Sequence, residues 1–503
     1  MKHIKLLLRH HWSLLCIVVV SLLIGLFRLD NLPAEMWGDA IEHYHLAQQV
    51  QRGHFFFNYQ FGGDGPIFSY IVILISSLFS LSFYTLKLTS VFLSVLFVFV
   101  LYLFSYELFK KKDIAYLTAF LGAISFWTIV FARQPHARIL VPLFIVLTML
   151  FAVKKKTLLS GITLGLGMYT QASFWAMPLA LLKRFKIVII GFVITVPLIL
   201  SFARNKANFF SNSSYFGEKL ATTDHLPFSV IVQNILHNIG ANFLSFFYRG
   251  DMGFRMNVPV SPHLDGASAL FLGIGLVLLG YKVYKERRWK YLEFLILPFF
   301  LIQIPSLLDI HNASVQPNIG RMIGVIPFVY CITAYGLLTS LRLLTKTLFE
   351  RMYLRKLVYW FCLFYLLAVI AIANLQKYFV IYPYFLPDHN TPFAKIIAQT
   401  IDRYPTDTSF VITETGWGQW QQPEQGAIML GMKKYHAVTF LRPPVSEKTL
   451  CQHATVSHPL AFITRPSDMN LAKELSHCGI TAHPFIIKNN DIPVAKIVEI
   501  SAK

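Results

Sequence analysis

The sequence predicts a polytopic α-helical membrane protein of about eleven transmembrane helices, followed by a small C-terminal α/β domain, and three observations carry that expectation. The 503 residues are 55% hydrophobic and only 14% charged, with a mean hydropathy of +0.54, more apolar than a water-soluble chain of this size can be without exposing its core. The excess of 45 Lys and Arg over 25 Asp and Glu gives a formal charge of +20, yet these residues sit in short loops between apolar runs. That is the positive-inside pattern and excludes the basic surface of a nucleic-acid binder. From Pro387 onward the apolar runs shorten to strand length.

A span needs about 17–25 apolar residues. The first run, 11–27, follows Lys2, Lys5, Arg9 and His10, which places the N-terminus in the cytoplasm. No small-residue cleavage site follows it, so it is an uncleaved anchor. The other runs are 86–108, 114–131, 138–153, 157–171, 173–182, 186–203, 267–284, 291–308, 321–343 and 356–374. The basic loops at Lys110–Lys112, Lys154–Lys156, Lys183–Lys186, Lys282–Lys290 and Arg342–Lys356 all fall inside if the stretch 66–81 does not cross. That stretch opens on Pro66, is short, and contains Ser69, Ser76, Ser77 and Ser80; it reads as an interfacial or re-entrant helix on the outer side. Residues 157–182 have basic residues at both ends, which makes them a short hairpin broken near Thr170–Ser173 around polar Thr170 and Gln171. Such a break survives only where the backbone is buried in protein or lines a cavity.

This topology divides the chain into a membrane domain, 1–380, and an extracytoplasmic domain, 385–503. External segments fall at 28–85, at 204–266 and after about 375. In the last, SFVIT (409–413), AVTFL (437–441), LAFIT (460–464), PFIIK (484–488) and VAKIVEI (494–500) alternate with helical stretches at 392–404 and 468–477, the pattern of an α/β domain. Cys16, Cys331 and Cys362 lie in spans as small apolar residues. Cys451 and Cys478 both fall in the outer domain, where a disulfide is permitted.

The chemistry is expected in the external loops, above all in WGDAIEHY (37–44), because an anchor gains nothing by holding carboxylates against lipid headgroups. Glu35, Asp39 and His43 recur every four residues, and Glu42 lies three beyond Asp39, so a helix here would group several of them on one face. Asp39 and Glu42 equally fit a helix N-cap and its capping partner. His43 and His45 also fit plain interfacial polar residues.

The order of this segment, the Gly-rich FGGDGPIF (61–68) and a Pro-led helix from Pro66 resembles the GT-C glycosyltransferases, in the branch of the protein O-mannosyltransferases and lipid A aminoarabinose transferases. In that family the first external loop carries an Asp, often as Asp-Glu, then a Tyr. Here Asp39, Ala40 and Tyr44 correspond, and Ala40 departs from the pattern, leaving Glu42 or Glu35 to supply a second carboxylate. FARQPHARILVPLF (131–144), SGITLGLGMYTQ (160–171), YRGDMGFRMNVPVSPHLDGASALFLGIGLVLL (248–279) and PNIGRMIGVIPFVYCITAYGL (317–337) extend the resemblance over roughly residues 10–375.

The resemblance implies inverting transfer of a hexose or pentose from a polyprenyl-phosphate-linked donor to a protein, lipid or glycan acceptor at the outer face of the bacterial cytoplasmic membrane. It makes Asp39, with Glu42 and Glu35, the catalytic carboxylates. Tyr44, Arg133, His136, Arg138, Arg249, Arg255 and Arg321 become substrate-binding candidates, the arginines meeting the charge that develops on the departing lipid phosphate. For each arginine the plainer reading is a side chain snorkelling to headgroups. Glu35, Asp39, His43 and Asp64 could offer a divalent ion mixed oxygen and nitrogen donors, and metal dependence varies within the family. A lipid-linked-sugar flippase would also be polytopic and basic, but it should carry charges near mid-membrane and internal repeats. A surface-polysaccharide polymerase or ligase is the other alternative.

Overall fold

The computed structural model describes residues 2–60, 63–204, 226–310, 316–442, 445–454 and 459–500. Residues 61–62 of the Gly-rich element and 205–225 of the second external segment lie outside them. The chain forms two compact units, one of residues 1–29 and 43–382, the other of residues 30–42 and 383–503.

The first unit is helical. It contains α1 (Lys2–Leu26), the greater part of α2 (Gly38–Gln51), α3 (Ile67–Ser76), α4 (Phe83–Phe109), α5 (Lys112–Ile124), α6 (Phe126–Arg133), α7 (Leu140–Val153), α8 (Thr157–Gly167) and α9 (Phe185–Arg204). Then come α10 (Phe228–Leu244), α11 (Gly266–Lys285), α12 (Trp289–Leu307), α13 (Ile326–Leu348) and α14 (Met352–Gln376). Among the described residues, six helical runs are long and apolar enough to cross a membrane, or seven if the pair α5 and α6 is one span bent by 55°.

That count does not confirm the expectation of about eleven, and it leaves out shorter apolar helices such as α7 and α8. Apolarity over a window does not report helix breaks, and several runs are broken or short. Run 157–171 yields an eleven-residue α8, and 138–153 yields a fourteen-residue α7 behind a single 3-10 turn. Runs 173–182 and 186–203 join into one continuous stretch, Ala172–Arg204. The stretch 66–81 yields the ten-residue α3, about 15 Å of helix, half the thickness of a hydrocarbon core.

Close packing between spans uses small residues, as expected where no hydrophobic force drives helices together in lipid. Gly161 and Gly165 on α8 face Ile190 and Ile194 on α9, where an added Cβ would come within 2.5 and 2.6 Å of those side chains.

The second unit holds a five-stranded sheet: β1 (Ser409–Ile412), β2 (Val438–Phe440), β3 (Leu460–Thr464), β4 (Ala482–Asn489) and β5 (Ile492–Ile500), in the order β2-β1-β3-β5-β4. β2, β1 and β3 are parallel, and β3, β5 and β4 are antiparallel. The parallel core explains the wholly buried β3, since parallel strands are covered on both faces. Helices Glu447–Ala454 and Leu471–His477 pack Leu450, Leu471 and Leu475 against Val411, Phe462 and Val498. Cys451 and Cys478, which end up beside each other through this packing, form a disulfide.

Candidate active site

The site is built where three distant segments of the helical unit meet. A helix from Gly38 to Gln51 delivers His43 from its second turn. Asp64 sits in the loop before α3, and that loop is docked on the break after α8. The Gly65 N–H donates to the Thr170 carbonyl at 2.9 Å, Ala172 N–H to Gly63 at 2.9 Å, and Asp64 bridges to Gln171. Tyr59 Oη donates to the Met168 carbonyl at 2.6 Å and accepts from Trp175 Nε1 at 2.7 Å. The backbone groups freed by the broken helix thus find partners in protein. Gly65 is required by space: a Cβ there would lie 1.9 Å from the Tyr169 carbonyl oxygen. Gly65→Ala is expected to cost about 1–3 kcal/mol and to displace Asp64, visible as a lower unfolding temperature of the purified protein.

The third contribution is the turn between α6 and α7, where Gln134 and Pro135 leave the helix and His136 caps the following 3-10 turn, its Nδ1 accepting the Arg138 N–H at 3.2 Å. His43 Nε2 lies 3.1 Å from Asp64 Oδ2 and His136 Nδ1 lies 3.3 Å from the same oxygen. All three side chains are buried. Their donor atoms lie within 4.8 Å of one another.

The chemistry of these contacts is informative. His43 Nε2 accepts the Ala137 N–H at 3.4 Å, as His136 Nδ1 accepts that of Arg138. These three atoms converge at hydrogen-bonding distance, and the imidazole tautomer decides whether a nitrogen donates to Asp64 or offers a lone pair beside it. Two imidazoles and one carboxylate form a donor set for a divalent transition ion such as zinc or manganese. Of the sequence-predicted metal candidates, His43 and Asp64 come together, His136 joins them, and neither Glu35 nor Asp39 belongs to the cluster.

Asp39 lies half-buried in the first turn of α2, and Glu42 is exposed. Glu35 departs from its expected catalytic part. Within the second unit its Oε1 accepts the Met36 N–H at 3.1 Å and its Oε2 that of Ala394 at 2.9 Å, so both oxygens hold backbone. The same unit holds the rest of this loop: Glu424 accepts the Gly38 N–H at 2.9 Å, Asn390 Oδ1 accepts that of Ala34 at 2.8 Å, and Lys395 pairs with Asp30 at 2.7 Å. Burial pushes the Glu35 carboxyl up to about 8, against the backbone N–H groups of Ala394 and Met36, while the nearby Glu424 adds to the rise. A pKa raised from 4.5 to about 8 means stability present at low pH that is lost as pH rises through that window. Glu35→Gln is expected to flatten this decline between pH 5 and 8, measured by unfolding of the purified protein. An equally steep decline in the variant would assign it to another group.

The arginines divide. Arg133 is fully buried; its Nη1 donates to the carbonyls of Ile24 and Gly25 at 2.9 and 2.7 Å and its Nε to Tyr378 Oη at 3.1 Å. It caps the carbonyls left unpaired where α1 ends, a structural use in place of the expected phosphate contact. Arg321 forms an ion pair with buried Asp309, which also accepts from Gln316 Nε2 at 2.8 Å. That partner already compensates the charge expected to meet the phosphate. Arg138 contacts Met256 Sδ at 2.6 Å and lies with Arg321 near buried Asp251, whose carboxyl burial raises above its usual range. Arg255 lies over the Phe254 ring, and exposed Arg249 reaches only Met252. These two have no carboxylate partner among the described residues. Arg249 lines a cavity of about 470 Å³ with Leu236, His237, Tyr248 and Pro317. Tyr44 is half-buried, its ring edge-on to His45. Asp251, Asp309 and Glu424 were not singled out in the sequence; Asp251 and Glu424 each hold a backbone N–H far along the chain, of Ile319 and Gly38, and Asp309 pairs with Arg321 across a loop.

The fold is that of solved GT-C membrane glycosyltransferases, and the long apolar helices are those of an integral membrane protein. It is similar to ArnT from Cupriavidus metallidurans in the apo state, with a TM-score of 0.55, 11% identity and coverage of 97% of both chains. Against the same protein bound to undecaprenyl phosphate the TM-score is 0.53, covering 97% of this chain and 98% of the other. The archaeal oligosaccharyltransferase AglB from Archaeoglobus fulgidus, in complex with an inhibitory peptide and a dolichol-phosphate, gives 0.50 at 14% identity, over 91% of this chain and 70% of that one. No family model and no curated protein matches the sequence.

Proposed function

We propose that this protein is an inverting glycosyltransferase that moves a sugar from a polyprenyl-phosphate donor to a hydroxyl acceptor at the outer face of the membrane. The buried His43–Asp64–His136 cluster carries the reading, because a flippase gains nothing from converging metal-type donors beside a loop docked on a broken helix. Asp39, in the first turn of the helix that also bears His43, takes the acceptor proton as its oxygen attacks the anomeric carbon. The bond from that carbon to the phosphate oxygen breaks, and polyprenyl phosphate leaves with the electron pair. His43, Asp64 and His136 would hold a divalent ion, which supplies charge stabilisation for a phosphate. Arg249 and Arg255 meet the lipid phosphate, and the cavity beside Arg249 takes part of the isoprenoid chain. The solved structures similar to this chain include ones bound to undecaprenyl phosphate and dolichol-phosphate, which supports a donor of that class.

The purified protein, given a short-chain polyprenyl-phosphate sugar and an acceptor, should release polyprenyl phosphate. Movement of the intact lipid across vesicles without release would establish a transporter instead. Consumption only of a diphosphate-linked oligosaccharide would establish a polymerase or ligase.

The disulfide between Cys451 and Cys478 supports an oxidising location for the second unit. Single cysteines at exposed Ser80 and Asp407, in a background lacking Cys16, Cys331 and Cys362, should both react with an impermeant thiol reagent in intact cells. Labelling of position 80 only after permeabilisation would mean that 66–81 crosses the membrane.

A further inference from the structure

A second cavity lies at the other end of the helical unit. α4 leaves the region of α3 and runs 27 residues, about 40 Å, to the basic loop before α5. There the first turn of α5, the last turns of α13 and the first turns of α14 line an open cup of about 440 Å³, with Asp113, Arg342, Thr345, Lys346, Arg355, Lys356, Tyr359 and Trp360 on its walls. Four of these side chains are cationic and one is a carboxylate. Asp113 is committed to Arg342, and among the described residues Lys346, Arg355 and Lys356 have no carboxylate partner.

Three cations without a carboxylate partner around one open cup repel one another. An anion in the cavity reverses the sign of that energy. The surroundings say which anion. Directly beyond the cup, α14 turns an apolar face outward: Leu357, Trp360, Phe361 and Phe364 are all exposed, with Trp360 stacked on Phe364 at 5.9 Å. A soluble phosphate has no use for such a face. A molecule with a phosphate at one end and hydrocarbon at the other covers both.

We propose that this cup binds the phosphate head of an anionic glycerophospholipid whose acyl chains lie along the outward face of α14. Lys346, Arg355 and Lys356 hold the phosphate charge, as basic pockets between spans do on the positive side of a membrane. Tyr359 and Trp360 set the depth of the glycerol region, where aromatic rings are favoured. The site is separate from the His43–Asp64–His136 cluster and does not depend on the glycosyltransferase reading.

Native mass spectrometry of the full-length protein in detergent, titrated with phosphatidylglycerol or phosphatidylcholine, tests it. The anionic lipid should bind about tenfold more tightly or better, at roughly a factor of five per cation engaged. Lys346→Gln/Arg355→Gln/Lys356→Gln should lower phosphatidylglycerol affinity at least tenfold and leave phosphatidylcholine unchanged. If the triple variant does not fold, Lys356→Gln alone, at an exposed position, should still give about a fivefold loss. Equal affinity for the two lipids, or unchanged affinity in the variants, overturns the proposal. Displacement of phosphatidylglycerol by millimolar inorganic phosphate also overturns it, by assigning the cup to a soluble phosphate.

Discussion

Asp39→Asn is expected to slow sugar transfer by about 10²-fold or more while the protein folds and inserts normally. An acceptor hydroxyl is a weak nucleophile, and its attack on the anomeric carbon needs a group that takes the proton as the new bond forms. Asparagine keeps the size and polarity of the side chain but cannot accept that proton. Asp39 is half-buried in the first turn of α2, and asparagine matches it in size and shape, so the change isolates the chemistry from the fold. The measurement is turnover per folded molecule, with donor affinity measured alongside. Loss of rate at unchanged affinity marks an interaction made in the transition state. A folded Asp39→Asn protein with near-normal turnover would falsify the assignment and return the choice to exposed Glu42 or to the His43–Asp64–His136 cluster.

Arg321→Gln is expected to act on stability, at about 3–5 kcal/mol, with most of the protein lost from the folded fraction. The change strips buried Asp309 of the Arg321 cation while its hydrogen bond from Gln316 Nε2 at 2.8 Å stays. Gln316 in turn accepts from Ser306 Oγ at 2.9 Å, and Ser306 contacts Asn242 at 3.1 Å, so the loss reaches α10 and α12. Removing both charges together, Arg321→Gln with Asp309→Asn, should recover much of the stability, because a buried pair replaced whole costs far less than a pair broken. A thermal-unfolding cycle on the four proteins measures this. If Arg321→Gln folds like the wild type and loses turnover instead, Arg321 holds the departing phosphate, as the sequence alone suggests.

Arg133 and Arg321 show why half of the site was not legible in the sequence. An arginine opening or closing an apolar run looks the same whether it faces a substrate phosphate, a lipid headgroup or the protein. What separates the cases is the partner. Arg133 finds the unpaired carbonyls of Ile24 and Gly25, more than one hundred positions earlier, and Arg321 finds Asp309. Glu35 belongs with them: spaced like a catalytic residue, it instead accepts the N–H of Ala394 from the far end of the chain.

The sequence by itself determined what depends on neighbours within a few positions. Apolar runs of span length and the charge of the loops between them define a membrane protein, because lipid admits only such segments. The five strands of the C-terminal unit fall at the five short apolar runs read between helical stretches, because a strand's length is bounded by polar turns on either side. The break near Thr170–Ser173 was visible as polar residues inside an apolar stretch, and α8 does end before it. Only the tertiary structure decided that the break receives the Asp64 loop, that His136 joins His43 and Asp64, that Cys451 meets Cys478, and that residues 30–42 belong to the C-terminal unit. It also decided which apolar runs join into one helical stretch, as Ala172–Arg204 does. Each of these depends on contacts between segments dozens to hundreds of residues apart, and no local period encodes such a contact. It follows from the packing of whole helices against one another.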